Sequence, residues 1–222
     1  MLDIFKTMSV EIFTTVGNME YIVPLFLKHY KSAFPDATIN VYACNSTDNS
    51  VKLCEEAGCV IHSFSGYIPY KREQPLTFLK NNRWKESKAD WIIVCDIDEL
   101  CHISQEDLKD LDGVDIIRFC GYNMCDEEDV KDPELMTWGV PSVPYSKCCM
   151  FRPGIKNINY KPGAHECVPP VTAKILKDKY KLLHYKKSNF NFEYFSASVP
   201  TMKPADRKKV WDYNRKGLTK VL

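Results

Sequence analysis

The sequence predicts an α/β fold, a three-layer sandwich with a mainly parallel central sheet and a basic helix at the carboxy terminus. Three observations carry that prediction. Strand-like runs alternate with helical periodicity through the first half of the chain, the pattern of βαβ units. The most apolar run, Trp91-Ile92-Ile93-Val94-Cys95, shows no alternation, as a strand covered on both faces requires. Composition is that of a globular protein with a sizeable core, 45% apolar and 27% charged over 222 residues, a length that suits one domain with a small appendage.

The elements follow in order. Val10 to Thr15 (VEIFTT) is rich in β-branched and aromatic residues and reads as the first strand. Met19 to Phe34 has the periodicity of a helix, with Pro24 near its start and Pro35 stopping it. Thr38 to Cys44 (TINVYAC) is a second strand. Asn45-Ser46-Thr47-Asp48-Asn49-Ser50 then leads into a helix through Ala57 that Gly58 ends in a left-handed cap. Val60 to Phe64 is a third strand. Gly66 to Lys85 sets Lys71, Arg72, Lys80, Arg83 and Lys85 against the single acid Glu73, a local basic segment. After the Trp91 strand, Ser104-Gln105-Glu106-Asp107 reads as the capped start of a short helix, and Val114 to Phe119 as a further strand. The remainder is less regular: Tyr122 to Tyr145 is acidic and Pro-containing, SKCCMFRP is strand-like, KPGAHECVPP is turn-rich, and LLHYKKS ends a last strand. Ala205 to Lys216 is a basic amphipathic helix. No internal repeat or low-complexity linker interrupts the chain, which reads as one domain with a carboxy-terminal extension.

Charge and cysteine content exclude several classes. With 30 Lys and Arg against 29 Asp and Glu, the chain lacks the basic excess of a dedicated nucleic-acid binder, so an anion site has to be local. No apolar run approaches the roughly 18 residues of a membrane span. The first residues carry Asp3, Lys6 and Glu11 among their apolar positions, unlike a signal peptide, which predicts a cytoplasmic protein with reduced cysteines. The ten cysteines form no CxxC pair, and several follow apolar residues inside strands, where a free thiol packs as a small hydrophobe.

The chemistry concentrates where the Trp91 strand ends in Asp96-Ile97-Asp98. Carboxyl ends of parallel strands border the ligand crevice of an open α/β sheet. Two carboxylates one residue apart on an extended segment face the same side and can share a hard cation that also takes phosphate oxygens. The other reading, capping of the next helix, is better served by Ser104.

Asp96-Ile97-Asp98 after an apolar strand, together with Asn45-Ser46-Thr47-Asp48-Asn49-Ser50 after strand TINVYAC, resembles the nucleotide-sugar-dependent glycosyltransferases of the GT-A fold, the family 2-like group above all. The likeness covers roughly Val10 to Ser188. It implies that Asp96 and Asp98 hold Mn²⁺ or Mg²⁺ against the diphosphate of a UDP-sugar, with Ile97 between them at the donor. Asn45 takes the place of the family's first acidic residue, at the nucleoside, and the glycine that follows in the family is absent. Thr14, Thr15 and Val16 fall where such enzymes place the base and ribose. His184 resembles the family's late histidine ligand to the metal, or is a packed strand histidine. Glu166, in a loop held between Pro162 and Pro169, is the first choice for the base that deprotonates the acceptor in an inverting transfer, with Asp126, Glu127, Glu128 and Asp129 as rivals. Arg83 or Lys80 supplies charge to the diphosphate, or sits on a solvated helix face.

The resemblance further implies a glycosyltransferase domain over residues 1–190, its nucleotide-binding half about 1–100 and its acceptor-binding half about 101–190, with 191–222 packed on it as a helical extension. The expected partners are the nucleotide-sugar donor and a glycan or glycoprotein acceptor, with no nucleic acid. The likeness extends to domains that glycosylate viral capsids, which implies a role in capsid glycan assembly in the host cytoplasm and further domains in a longer polypeptide. Two other functions fit the pattern. A sugar-phosphate nucleotidyltransferase would need a Gly-rich basic loop after the first strand, and Thr14 to Met19 has one glycine and no cation. A catalytically silent nucleotide- or sugar-binding module would recruit partners through the basic carboxy-terminal helix and release no UDP.

Overall fold

The structure, a computed structural model, describes residues 7–64, 73–125, 132–186, 196, 198 and 201–222. Among the described residues ten strands form one sheet. Strands β1 (Val10–Val16), β2 (Thr38–Ala43), β3 (Val60–Ser63) and β4 (Trp91–Val94) are followed by β5 (Glu99–His102), β6 (Ile116–Met124), β7 (Trp138–Pro141), β8 (Cys148–Phe151), β9 (Ile175–His184) and β10 (Thr219–Lys220). The sheet order is β10-β7-β6-β8-β4-β1-β2-β3, with β9 pairing β6 and β5. The half built from β4, β1, β2 and β3 is parallel throughout, as the alternating pattern predicts. The other half is mixed: β8, β7 and β10 are antiparallel to their neighbours, while β9 runs parallel to β6.

The unalternating β4 sits between two cores. Trp91 and Ile93 pack with Ile12, Phe26 and Tyr30 on one face. Ile92 and Val94 pack with Phe13, Trp84 and Phe151 on the other. Helix α1 (Val23–Ala33), which has Pro24 in its first turn, buries Phe26, Leu27 and Tyr30 on the first face, and α2 (Ser50–Glu56) adds Cys54 there. Helix α3 (Glu73–Asn82) covers the second face through Leu79, with Trp84 just beyond it set edge-on to Phe151 at 4.8 Å. Helices on both faces complete the three layers.

Local chemistry sets the element ends. Helix α2 starts at Ser50, with Asn49 at its N-cap, and the Asp48 carboxylate just before it accepts the Ser50 N–H at 3.0 Å. Gly58 ends that helix at φ 79°, in the left-handed region where only glycine is free of Cβ strain. The Ser104 signal starts a 3-10 turn, Asp107–Asp110, with the Asp107 carboxylate accepting both the N–H and the hydroxyl of Ser104. The basic carboxy-terminal helix is α4 (Pro204–Tyr213), and β10 after it adds an edge strand to β7. Val221 is buried there, its N–H donating to Thr137 at 2.8 Å. All ten cysteines are free thiols, and among the described residues no helix is long and apolar enough to cross a membrane.

Candidate active site

The chain runs β1 to β2 to β3 in one direction along the sheet and then crosses to place β4 on the other side of β1. That switch of direction leaves a crevice beyond the carboxyl ends of β1 and β4, the position where open α/β sheets bind ligands. A cavity of about 630 Å³ lies there. Thr15, Val16 and Asn45 line it, as do Asp96, Ile97, Asp98 and His184. Thr14, Arg83 and Glu166 do not. Thr14 is buried in β1 with its hydroxyl unpartnered. Arg83 is exposed beyond α3, where its charge opposes the upward effect of burial on the Tyr42 phenol. Glu166 is exposed, and its neighbour His165 lines the cavity instead. Asp126 to Asp129 lie outside the described residues.

The loops after β1 and β2 are laced together at the cavity edge. Asn18 Oδ1 accepts from the N–H of Thr47 at 2.7 Å, the Thr47 hydroxyl at 3.1 Å and the N–H of Asp48 at 3.3 Å. Asp48 returns a bond by accepting the Glu20 N–H at 3.0 Å, and Ser50 Oγ accepts the Met19 N–H at 2.8 Å. The Ser-Thr-Asp-Asn-Ser run therefore spends its polar groups on building the rim. Asn45 stands at φ 51°, a left-handed conformation that asparagine tolerates better than most residues. It thus takes the backbone role that a glycine would otherwise fill at that turn.

Asp96 and Asp98 sit in a turn closed by the Glu99 N–H donating to the Asp96 carbonyl at 3.0 Å, so the extended-strand argument for their shared side does not apply. They have separate partners. Lys80 of α3, nearly buried, donates to both Asp96 oxygens at 2.7 and 2.8 Å. Lys147 stands 3.9 Å from the same carboxylate and 2.6 Å from Glu99, with Lys147 4% and Glu99 1% exposed. Glu99 also accepts the Asp96 N–H at 2.9 Å. Burial works to raise the Asp96 carboxyl, but the two ammonium groups outweigh it and hold it well below the usual carboxylate range.

Asp98 faces His184 at 3.5 Å from Nε2. The imidazole Nδ1 is 2.8 Å from Asn123 Oδ1, which can only accept, so Nδ1 carries a hydrogen and Nε2 is the nitrogen free to accept whenever the ring is neutral. With the ring neutral, two acceptors face each other at the cavity wall, an arrangement that favours a cation between them. Tyr145 lies flat on His184, ring centroids 3.7 Å apart. Burial, with the charges of Glu99 and Asp98, pushes its phenol up to about 12, so it is a neutral donor at physiological pH. Among the described residues no three His, Cys, Asp or Glu side chains come together as a metal site.

No protein-family profile and no curated protein sequence matches the chain. Solved structures do. S. aureus TarS superposes with a TM-score of 0.50 at 11% identity, over 94% of this chain and 43% of that one. The fold is of the GT-A glycosyltransferase kind. TarS 1-349 in complex with UDP-GlcNAc gives a TM-score of 0.49 at 11% identity, over 93% of this chain and 71% of that one. Glucosyl-3-phosphoglycerate synthase from Mycobacterium tuberculosis, in complex with Mn²⁺, UDP and glucosyl-3-phosphoglycerate, gives 0.36 at 12% identity over 52% of this chain and 44% of that one.

Within this GT-A-like frame, Lys147, Glu99, Tyr145, Asn123 and Asn18 are site residues that sequence reasoning misses. Lys147 and Glu99 carry a signal in retrospect, since charged residues inside apolar runs have to be paired. Tyr145 and Asn123 carry none, because only the pairing of β6 with β9 and the close approach of the 143–145 turn bring them to His184.

Proposed function

We propose that the chain is a glycosyltransferase that moves a sugar from a UDP-sugar to a hydroxyl of a glycan or glycoprotein acceptor, with inversion at the anomeric carbon and with Mn²⁺ or Mg²⁺ bound. The observation that carries the reading is the Asp98–His184 pair, a carboxylate and an imidazole acceptor facing each other beside a cavity at the sheet's switch point. The two fit a divalent cation, which accepts oxygen and imidazole ligands together. Bound there, the cation would neutralise charge on the leaving diphosphate. The chain's own residues supply the rest. Asp96 anchors Lys80 at the cavity wall, where its ammonium offsets phosphate charge. Thr15, Val16 and Asn45 border the space for the nucleoside, and Tyr145 offers a neutral hydroxyl donor. Capsid glycan assembly within a longer polypeptide is the biological setting that the sequence resemblance favours.

The test is UDP release from a panel of UDP-sugars. Release should need Mn²⁺ or Mg²⁺, stop with EDTA, and fall sharply in Asp98→Asn while the melting temperature of that variant holds. Release indifferent to EDTA, with Lys80→Met inactive, would move the phosphate-binding role from the cation to Lys80.

A further inference from the structure

The loop that carries His165 and Glu166 is clamped on every side. Tyr160 and Cys167 pair as an isolated antiparallel bridge at its base. Within it, the Lys161 N–H donates to the Glu166 carbonyl at 2.9 Å and the Ala164 N–H to the Lys161 carbonyl at 2.8 Å. Asn81 of α3 grips the base of the loop twice, accepting the Tyr160 N–H at 2.7 Å and donating to its carbonyl at 3.1 Å. The Tyr160 hydroxyl donates to the Cys148 carbonyl at 2.5 Å. Between these anchors Ala164, 4% exposed, stands at φ 55°. An alanine held in the left-handed region is strained, and such strain persists where the surroundings over-determine it. The consequence is directional: His165 is turned to line the cavity and Glu166 is left at the surface.

The ring of His165 is fixed at the cavity by its Nδ1. Its Nδ1 lies 3.0 Å from the Pro144 carbonyl, which can only accept, so Nδ1 carries a hydrogen and Nε2 is the nitrogen with a lone pair to offer whenever the ring is neutral. Tyr145 meets the ring edge-on at 5.2 Å and stacks on His184 at 3.7 Å, which ties His165 to the Asp98–His184 pair through one side chain. The cavity carboxylates have other partners: Asp96 has Lys80, Glu99 has Lys147, and Asp98 faces His184.

We infer that His165 is the general base of the transfer, an assignment that rests on the glycosyltransferase reading above. Its Nε2 takes the proton of the acceptor hydroxyl as that oxygen forms its bond to the anomeric carbon. The bond from that carbon to the diphosphate oxygen breaks, and its electron pair leaves on UDP. The imidazolium then returns its proton to solvent, which the exposure of His165 permits.

The test uses UDP-glucose, UDP-galactose and UDP-GlcNAc with Mn²⁺, water or free glucose as acceptor, and UDP release as readout, with UDP affinity measured separately by calorimetry. His165→Gln should lose turnover by the roughly 10²–10⁴-fold typical of a missing general base and keep wild-type UDP affinity. His165→Ala should recover turnover when free imidazole is added, which a merely structural role would not produce, and Glu166→Gln should turn over normally. Wild-type turnover in His165→Gln, or a loss in His165→Ala that imidazole leaves unchanged, overturns the assignment. Wild-type protein that binds UDP but releases none from all three donors overturns the transfer reading, and the base with it.

Discussion

Gly121 shows how little room the site allows. A Cβ at this position would stand 2.2 Å from the Tyr145 carbonyl carbon, so the backbone of the 143–145 turn rests directly on β6. Gly121→Ala has to push that turn outward, and Tyr145 and its stack on His184 move with it. We expect a loss of about 1–3 kcal/mol, as for an overpacked core, read as a lower urea midpoint, together with weakened UDP binding. A second residue-scale expectation concerns Lys147. Both it and Glu99 are nearly fully buried, so Lys147→Met leaves a carboxylate without its ammonium partner at a cost of about 3–5 kcal/mol. The double variant Lys147→Met with Glu99→Leu should recover much of that loss in chemical denaturation, because no unpaired charge remains. A double variant no more stable than the single would show that the pair is held by something other than mutual compensation.

At the scale of elements, the site depends on loops holding one another more than on any helix or strand. Asn18 ties the β1 loop to the β2 loop with three accepted hydrogen bonds, two of them from main-chain N–H groups. Asn18→Ala removes all three from an exposed place where water can substitute, so the cost in stability should be modest, about 1 kcal/mol. The effect on function should be larger, with faster hydrogen exchange over residues 45–50 and weaker UDP affinity. Unchanged exchange there would mean that Asp48 and Ser50 hold the rim alone. These loops also mark where sequence reading stops. The first four strands and the Gly58 stop were legible to within a residue because each rests on chemistry local to a few residues, whereas the helix read from Met19 begins at Val23 and the strand read as Val114 to Phe119 runs Ile116–Met124. Strand β5 was not, because Glu99-Leu-Cys-His directly follows the Asp96 turn and gains its identity only by pairing with β9. Strands β7 and β10 are similarly short and exist through their neighbours. Glu166 and His165 could not be told apart in sequence, since which of two adjacent loop residues faces inward depends on the backbone of Ala164.

For the whole molecule, the parallel half of the sheet and the cavity at its switch point were readable from alternation and from the acids that end the Trp91 strand. The mixed half was not, because its strands are ordered by long-range pairing. One global property follows from a residue remote from the cavity. His29 of α1 is held low by burial, against its bond to the Cys101 carbonyl, with His102 nearby adding to the depression. Its folded value lies below the unfolded value of about 6.5, so the unfolded chain takes up the proton first. The stability tied to a neutral His29 is therefore complete above about pH 6.5 and is lost as pH falls below it. Melting temperature should drop between about pH 7 and pH 5.5 in wild type and drop less in His29→Asn; equal slopes would assign the effect to other groups.

The proposed transfer requires that the Asp98–His184 wall of the cavity bind the diphosphate of a nucleotide together with a divalent cation. Calorimetric titration of UDP in Mn²⁺ and in EDTA, for wild type and for Asp98→Asn, measures this. Mn²⁺ should tighten UDP binding to wild type by about tenfold or more, equivalent to at least about 1.4 kcal/mol, and Asp98→Asn should keep the metal-free affinity while losing the gain. Equal affinity for UDP in Mn²⁺ and EDTA in the wild-type protein would contradict it.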